Sequence, residues 1–163
     1  MEWASAPPNF SLKGSIDMLI DNLLTLSLSQ AITTTAVSTN VIDIGVGRDL
    51  GIGDNPTLDI NAQVVVAFTG GTSIQASWQG STDNSTFVDM AFGPVVALAN
   101  LVVGAQLLPF PVPMMQPGLT SMYRYYRVNY VVVGTMTAGA VTTTLILDRQ
   151  ASRAYAPGLV IAN

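Results

Sequence analysis

Leu58-Asp59-Ile60-Asn61-Ala62-Gln63-Val64-Val65-Val66-Ala67-Phe68-Thr69-Gly70-Gly71-Thr72-Ser73-Ile74-Gln75-Ala76-Ser77-Trp78-Gln79-Gly80-Ser81 decides the fold. Leu58, Ile60, Ala62, Val64, Val66 and Phe68 alternate with Asp59, Asn61, Gln63 and Thr69. Side chains of a strand point to opposite faces at period two, so this pattern predicts a half-buried strand with the apolar set inward. Gly70-Gly71 permits a tight reversal, because glycine enters the positive-φ region without steric cost. The next run repeats the pattern, with Ile74, Ala76 and Trp78 on one face and Gln75, Ser77, Gln79 and Ser81 on the other. Asp83-Asn84-Ser85 then reads as a turn, since short polar side chains bond the local backbone.

Working outward, further strands are expected at Ala31–Val37, Asn40–Ile44, Thr86–Met90, Val95–Val103, Gln106–Val112, Tyr123–Val133 and Gly139–Asp148. Thr137-Ala138-Gly139 is the expected turn before the last of them. One segment has helical spacing: Ile16, Leu19, Ile20, Leu23 and Leu24, with Asp17, Asp21 and Asn22 opposite. From Leu24 onward Leu24, Leu26 and Leu28 alternate with Thr25, Ser27 and Ser29, so a strand is expected to begin there. Many short strands separated by Gly, Pro and Asx turns indicate an all-β fold, a jelly-roll-like β-sandwich. Residues 1–17 are expected to form an N-terminal arm with a short helix at its end. Residues 18–148 are the jelly-roll domain and 149–163 a C-terminal tail.

The composition limits the chemistry. The chain has no histidine, no cysteine and a single lysine, Lys13; 49% of its residues are hydrophobic and 10% are charged, against roughly 25% charged in an average soluble domain. No disulfide or thiolate metal site is possible. Serine nucleophiles lack an imidazole base. Nine aspartates and Glu2 offer no spacing that favours a catalytic carboxylate pair. Asp49, Asp54 and Asp59 lack the alternating ligands of a calcium loop, and Gly45–Gly53 lacks the spacing of a phosphate loop. The expectation is a protein that is not an enzyme and uses no cofactor or metal. The start of the chain lacks the basic residues and apolar core of a secretory leader, and the apolar stretches suit strands, so no membrane association is expected.

Outward positions are filled by Ser, Thr, Asn and Gln rather than by the lysines that discourage edge-to-edge pairing. Such a surface tolerates neighbours. Residues 1–90 carry a net charge of −7 and residues 91–163 one of +3, which suits docking through opposite potentials. Nucleic acid is not expected, since an acidic chain releases few counterions. Trp3 and Phe10 in the apolar head segment are candidate contact residues, because apolar ends dock rather than wave in water. Tyr123-Arg124-Tyr125-Tyr126-Arg127-Val128-Asn129-Tyr130 is the densest aromatic and basic cluster. Its alternation puts Tyr126, Val128, Tyr130 and Val132 inward and Tyr125, Arg127 and Asn129 outward. Tyr125 and Arg127 are therefore candidate interface residues, with Arg48, Arg149 and Arg153 as further cationic candidates.

Five blocks carry a resemblance. Met18–Ser27, Ala36–Gly45 and Arg48–Gly53, followed by Tyr126–Tyr130 and Thr137–Thr142, are similar to the capsid cement proteins of tailed bacteriophages. The resemblance implies a jelly-roll-like domain on the outer surface of an icosahedral capsid, in the virion, reached from the host cytoplasm during assembly. The implied partners are the major capsid protein, whose adjacent capsomers it would clamp, and neighbouring copies of itself as a dimer or trimer. The rival expectation is a β-sandwich binding module on a virion, recognising a glycan or a host receptor, with Trp78 the obvious stacking residue were it not on the apolar face of its strand.

Overall fold

Alternating sequence becomes alternating burial over residues 59–64 and 125–130. The computed structural model describes residues 22–46, 58–112 and 123–147. A short 3-10 turn at Asn22–Leu24 leads into β1 (Thr25–Ala31), β2 (Ala36–Val37) and β3 (Ile42–Asp43). β4 (Leu58–Gly70), β5 (Ser73–Ser81) and β6 (Val88–Ala97) follow, then a 3-10 turn at Leu98–Asn100, β7 (Tyr125–Val133) and β8 (Met136–Leu147). The rest of the expected helix and the two expected arms lie outside the described residues.

Two antiparallel sheets face each other. The first has the order β1-β8-β4. Residues 101–112 run along the free edge of β4 and close it with backbone bonds: Phe68 N to Leu101 O at 3.0 Å, Val64 N to Ala105 O at 2.9 Å, Leu107 N to Ala62 O at 2.9 Å and Val112 N to Leu58 O at 3.0 Å. The second sheet has the order β2-β7-β5-β6, with β3 beside β2 along the same edge of β7. With residues 101–112 counted in the first sheet, every chain connection except β2 to β3 and β5 to β6 passes from one sheet to the other. This is the double Greek-key path of a jelly roll, with residues 101–112 in place of a regular strand.

Several expectations need correction. Gly70 and Gly71 do adopt positive φ, 74° and 64°, but the reversal carries the chain across to the opposite sheet instead of forming a hairpin. Val66 is 47% exposed, because two register slips in β4 flank it; Val64 and Phe68 remain inside. Leu28 is 70% exposed, since β1 slips against β8 around Ser29, whose φ is 45°. Ala31–Val37 is not one strand: β1 ends at Ala31 and β2 begins at Ala36. Thr86–Met90 and Val95–Val103 are not separate strands: β6 bridges them through Gly93-Pro94. Gln106–Val112 makes isolated bridges only. The last turn is at Gly134 (φ 83°), and Thr137-Ala138-Gly139 already belongs to β8.

The core between the sheets is built from Trp78, Tyr126, Tyr130, Leu26, Ile60, Val64 and Ile74, all at most 1% exposed. Tyr126, Val128 and Tyr130 point inward as their alternation predicts, with Val132 packed at the margin. One polar device crosses the sandwich. Tyr130 Oη lies 2.9 Å from Ser27 Oγ and 2.7 Å from Thr143 Oγ1, joining β7 to β1 and β8. Ser27 Oγ also donates to Gln30 Oε1. Burial pushes the Tyr130 phenol above its ordinary pKa. Tyr130→Phe removes one member and leaves Thr143 without its partner in the core. The expected loss is about 1–3 kcal/mol of unfolding free energy, read as a lower urea midpoint with unchanged slope.

Candidate functional site

The outward face of the second sheet brings the candidate residues together. Register fixes its rows, because directly paired residues of neighbouring strands share a face. Tyr125 pairs with Asp43 and Ser81, Arg127 with Gln79, and Asn129 with Val37 and Ser77. Val131 and Val133 pair with Gln75 and Ser73, which in turn pair with Val95 and Ala97 of β6. Ser77 pairs with Phe92 and Gln79 with Asp89. Two halves result, one polar and one apolar.

The polar half holds two hydrogen-bonded clusters. Arg124 forks onto Asp43, with Nε 2.6 Å from Oδ1 and Nη2 2.7 Å from Oδ2. Such planar bidentate geometry is the strongest form of an exposed ion pair. It fixes the short β3 against the start of β7, 81 residues away in sequence. Arg124 also lies 4.9 Å from the centre of the Tyr125 ring. Arg127 Nε donates to Gln79 Oε1 at 2.7 Å, and its guanidinium carbon sits 3.7 Å from the centre of the Phe87 ring. Gln79 and Ser77 both donate to Asp89 Oδ1. Central position in the sheet and these bonds bury Ser77, Gln79 and Ser81, so β5 is covered on both faces rather than on one. Partial burial lowers the pKa of Arg127 against the opposing pull of Asp89, while the guanidinium stays charged.

The apolar half begins one row away. Phe92 is 61% exposed, Val95 63% and Val133 54%; Val37 and Val131 are exposed as well. Exposed apolar side chains gathered on one sheet face in this way often mark a contact site. The open edge of β6 is less suited to pairing. Pro94 sits in it, and two register slips interrupt its ladder.

Of the sequence candidates, Tyr125 and Arg127 are half-buried on this face, pointing outward as expected. Trp3, Phe10, Arg48, Arg149 and Arg153 lie outside the described residues. Trp78 is fully buried and stacks on Tyr126, with ring centres 5.5 Å apart. Sequence reasoning missed Asp43, Arg124, Asp89 and the apolar half. The signal for that half was present in Val131-Val132-Val133 and Val95-Val96, whose odd and even members must face opposite ways. Among the described residues, no three Asp or Glu side chains gather as a metal site would need.

The chain matches the Bbp16 family over residues 26–145, that is 120 of its 163 residues. The chain belongs to the Bbp16 family. The matched span runs from buried Leu26 in β1 to buried Leu145 in β8, so the family boundary coincides with the first and last strands of the sandwich. No curated protein matches the chain at a significant level.

The Bbp16-family fold carries a pH expectation. Asp43 and Asp83 are both held at about 2, Asp43 chiefly by Arg124 and Asp83 chiefly by the Thr86 and Ser85 backbone amides. A depressed carboxylate stabilises the fold above its unfolded pKa of roughly 3.9 and loses that contribution as pH falls toward 2. Histidine is absent. The melting temperature should therefore be nearly flat from about pH 5 to 7 and fall below about pH 4. Asp83→Asn should lower it at neutral pH and flatten the acid limb.

Proposed function

We propose that this Bbp16-family chain is a capsid cement protein, binding the outside of an icosahedral phage head and clamping adjacent capsomers of the major capsid protein. The observation that carries the reading is the exposed apolar half of the second sheet of a jelly roll. Cementing needs no bond chemistry. It needs complementary area repeated by symmetry, and several modest contacts per subunit add through effective concentration. The resemblance of the ordered sequence blocks to cement proteins points the same way. Sugar recognition is less well supported, since its best stacking residue, Trp78, is sealed in the core.

The test uses heads assembled without this chain. They are expected to lose DNA at a lower temperature and on chelation, and to recover when purified protein is added back. Heads that resist heat and chelation equally well with and without it would end the cement reading.

A further inference from the structure

Arg127 keeps donors that the described contacts of the polar half do not engage. Arg124 is spent on both oxygens of Asp43. Asp89 Oδ1 accepts from Ser77 and Gln79, and Asp89 lies beyond ion-pair distance of Arg127; the Arg124–Asp43 pair is the only ion pair among the described residues. Arg127 uses Nε on Gln79 and stacks on Phe87, and neither contact engages its two Nη nitrogens. A guanidinium locked on one edge and one face presents the remaining donors in a fixed fork, the geometry that receives a carboxylate. Its row neighbours Phe92, and beyond that lie Val95, Val131 and Val133.

We propose that this face docks a shell-protein surface in which a carboxylate stands among aliphatic side chains, the carboxylate seating on Arg127 and the aliphatic groups covering Phe92, Val95, Val131 and Val133. The inference rests on the cement reading and adds the chemistry of the partner surface. Arginine beside an exposed apolar patch has the composition of an interface hot spot, which desolvates on binding. A second copy fits less well, because both oxygens of its Asp43 are engaged by Arg124 and Oδ1 of its Asp89 already accepts from Ser77 and Gln79. Edge pairing through β6 is blunted by Pro94 and the register slips.

The experiment measures binding of the full chain to purified heads lacking it, with Arg127→Gln and Val131→Asp compared to wild type and thermal melting confirming that each variant folds. Arg127→Gln should bind about tenfold more weakly, and its affinity should depend less on salt than that of wild type. Val131→Asp, which sets a carboxylate in the apolar rows, should weaken binding by about thirtyfold. Folded variants that bind as wild type does would overturn the inference and leave the cement function standing. Failure of wild type itself to bind would remove both. Light scattering supplies the remaining outcome: a wild-type dimer that Val131→Asp dissociates would make the face a self-contact and overturn the shell-docking assignment.

Discussion

Trp78→Ala is expected to cost about 3–5 kcal/mol, while Trp78→Phe should cost less than about 1.5 kcal/mol. The indole lies wholly inside, stacked nearly parallel on Tyr126, and anchors the middle of β5 between β6 and β7. Alanine removes the ring and leaves a cavity that Tyr126 cannot fill, being itself tied by its hydroxyl to the Tyr123 carbonyl. Phenylalanine keeps the stack. It also removes a liability, because Trp78 Nε1 is a buried donor without a hydrogen-bond partner. An unmet donor costs roughly 1–3 kcal/mol, which offsets part of the lost ring area. Urea denaturation of the two variants reads the contrast directly. Equal losses would mean that the indole nitrogen is satisfied in solution, as by a buried water.

Strand content was legible because it depends on local alternation. Leu58–Phe68 and Ile74–Trp78 each present one apolar face, and any sheet must bury it. Tyr126, Val128 and Tyr130 were legible for the same reason. What alternation does not encode is where it is interrupted. Val66 and Leu28 continue the apolar series in sequence but lie beside register slips, which turn them to solvent. Nor does a glycine turn reveal whether the chain stays in its sheet, and Gly70-Gly71 leads out of it. The candidate face was half legible. Tyr125 and Arg127 follow from β7 alone, whereas the Arg124–Asp43 fork and the Gln79–Asp89 contacts depend on which strands become neighbours. Topology, not composition, brings those charges together.

Gly139→Ala is expected to cost about 3 kcal/mol or more, and Gly139→Val to abolish folding. Gly139 has φ 138°, a conformation that side chains with a Cβ rarely adopt, and a Cβ there would overlap the Phe68 ring. Both penalties arise from the same departure from regular pairing. Across it β4 pairs Val66 with Ala140 and Thr69 with Ala138, so the slip returns Phe68 to the core directly over residue 139. The Gly139 carbonyl also accepts from Ile32 N at 3.1 Å, holding the end of β1 to β8. A double-mutant cycle separates ring overlap from backbone strain. Phe68→Ala alone should cost about 3–5 kcal/mol, but distinctly less in the Gly139→Ala background, since the new methyl occupies space the ring has left. The cost of Gly139→Ala measured in the Phe68→Ala background then reads the strain at φ 138°, on the order of 1–3 kcal/mol. Strict additivity would show that the two residues do not compete for one space. The slip in β4 would then need another cause than accommodation of Phe68 by a position without a side chain.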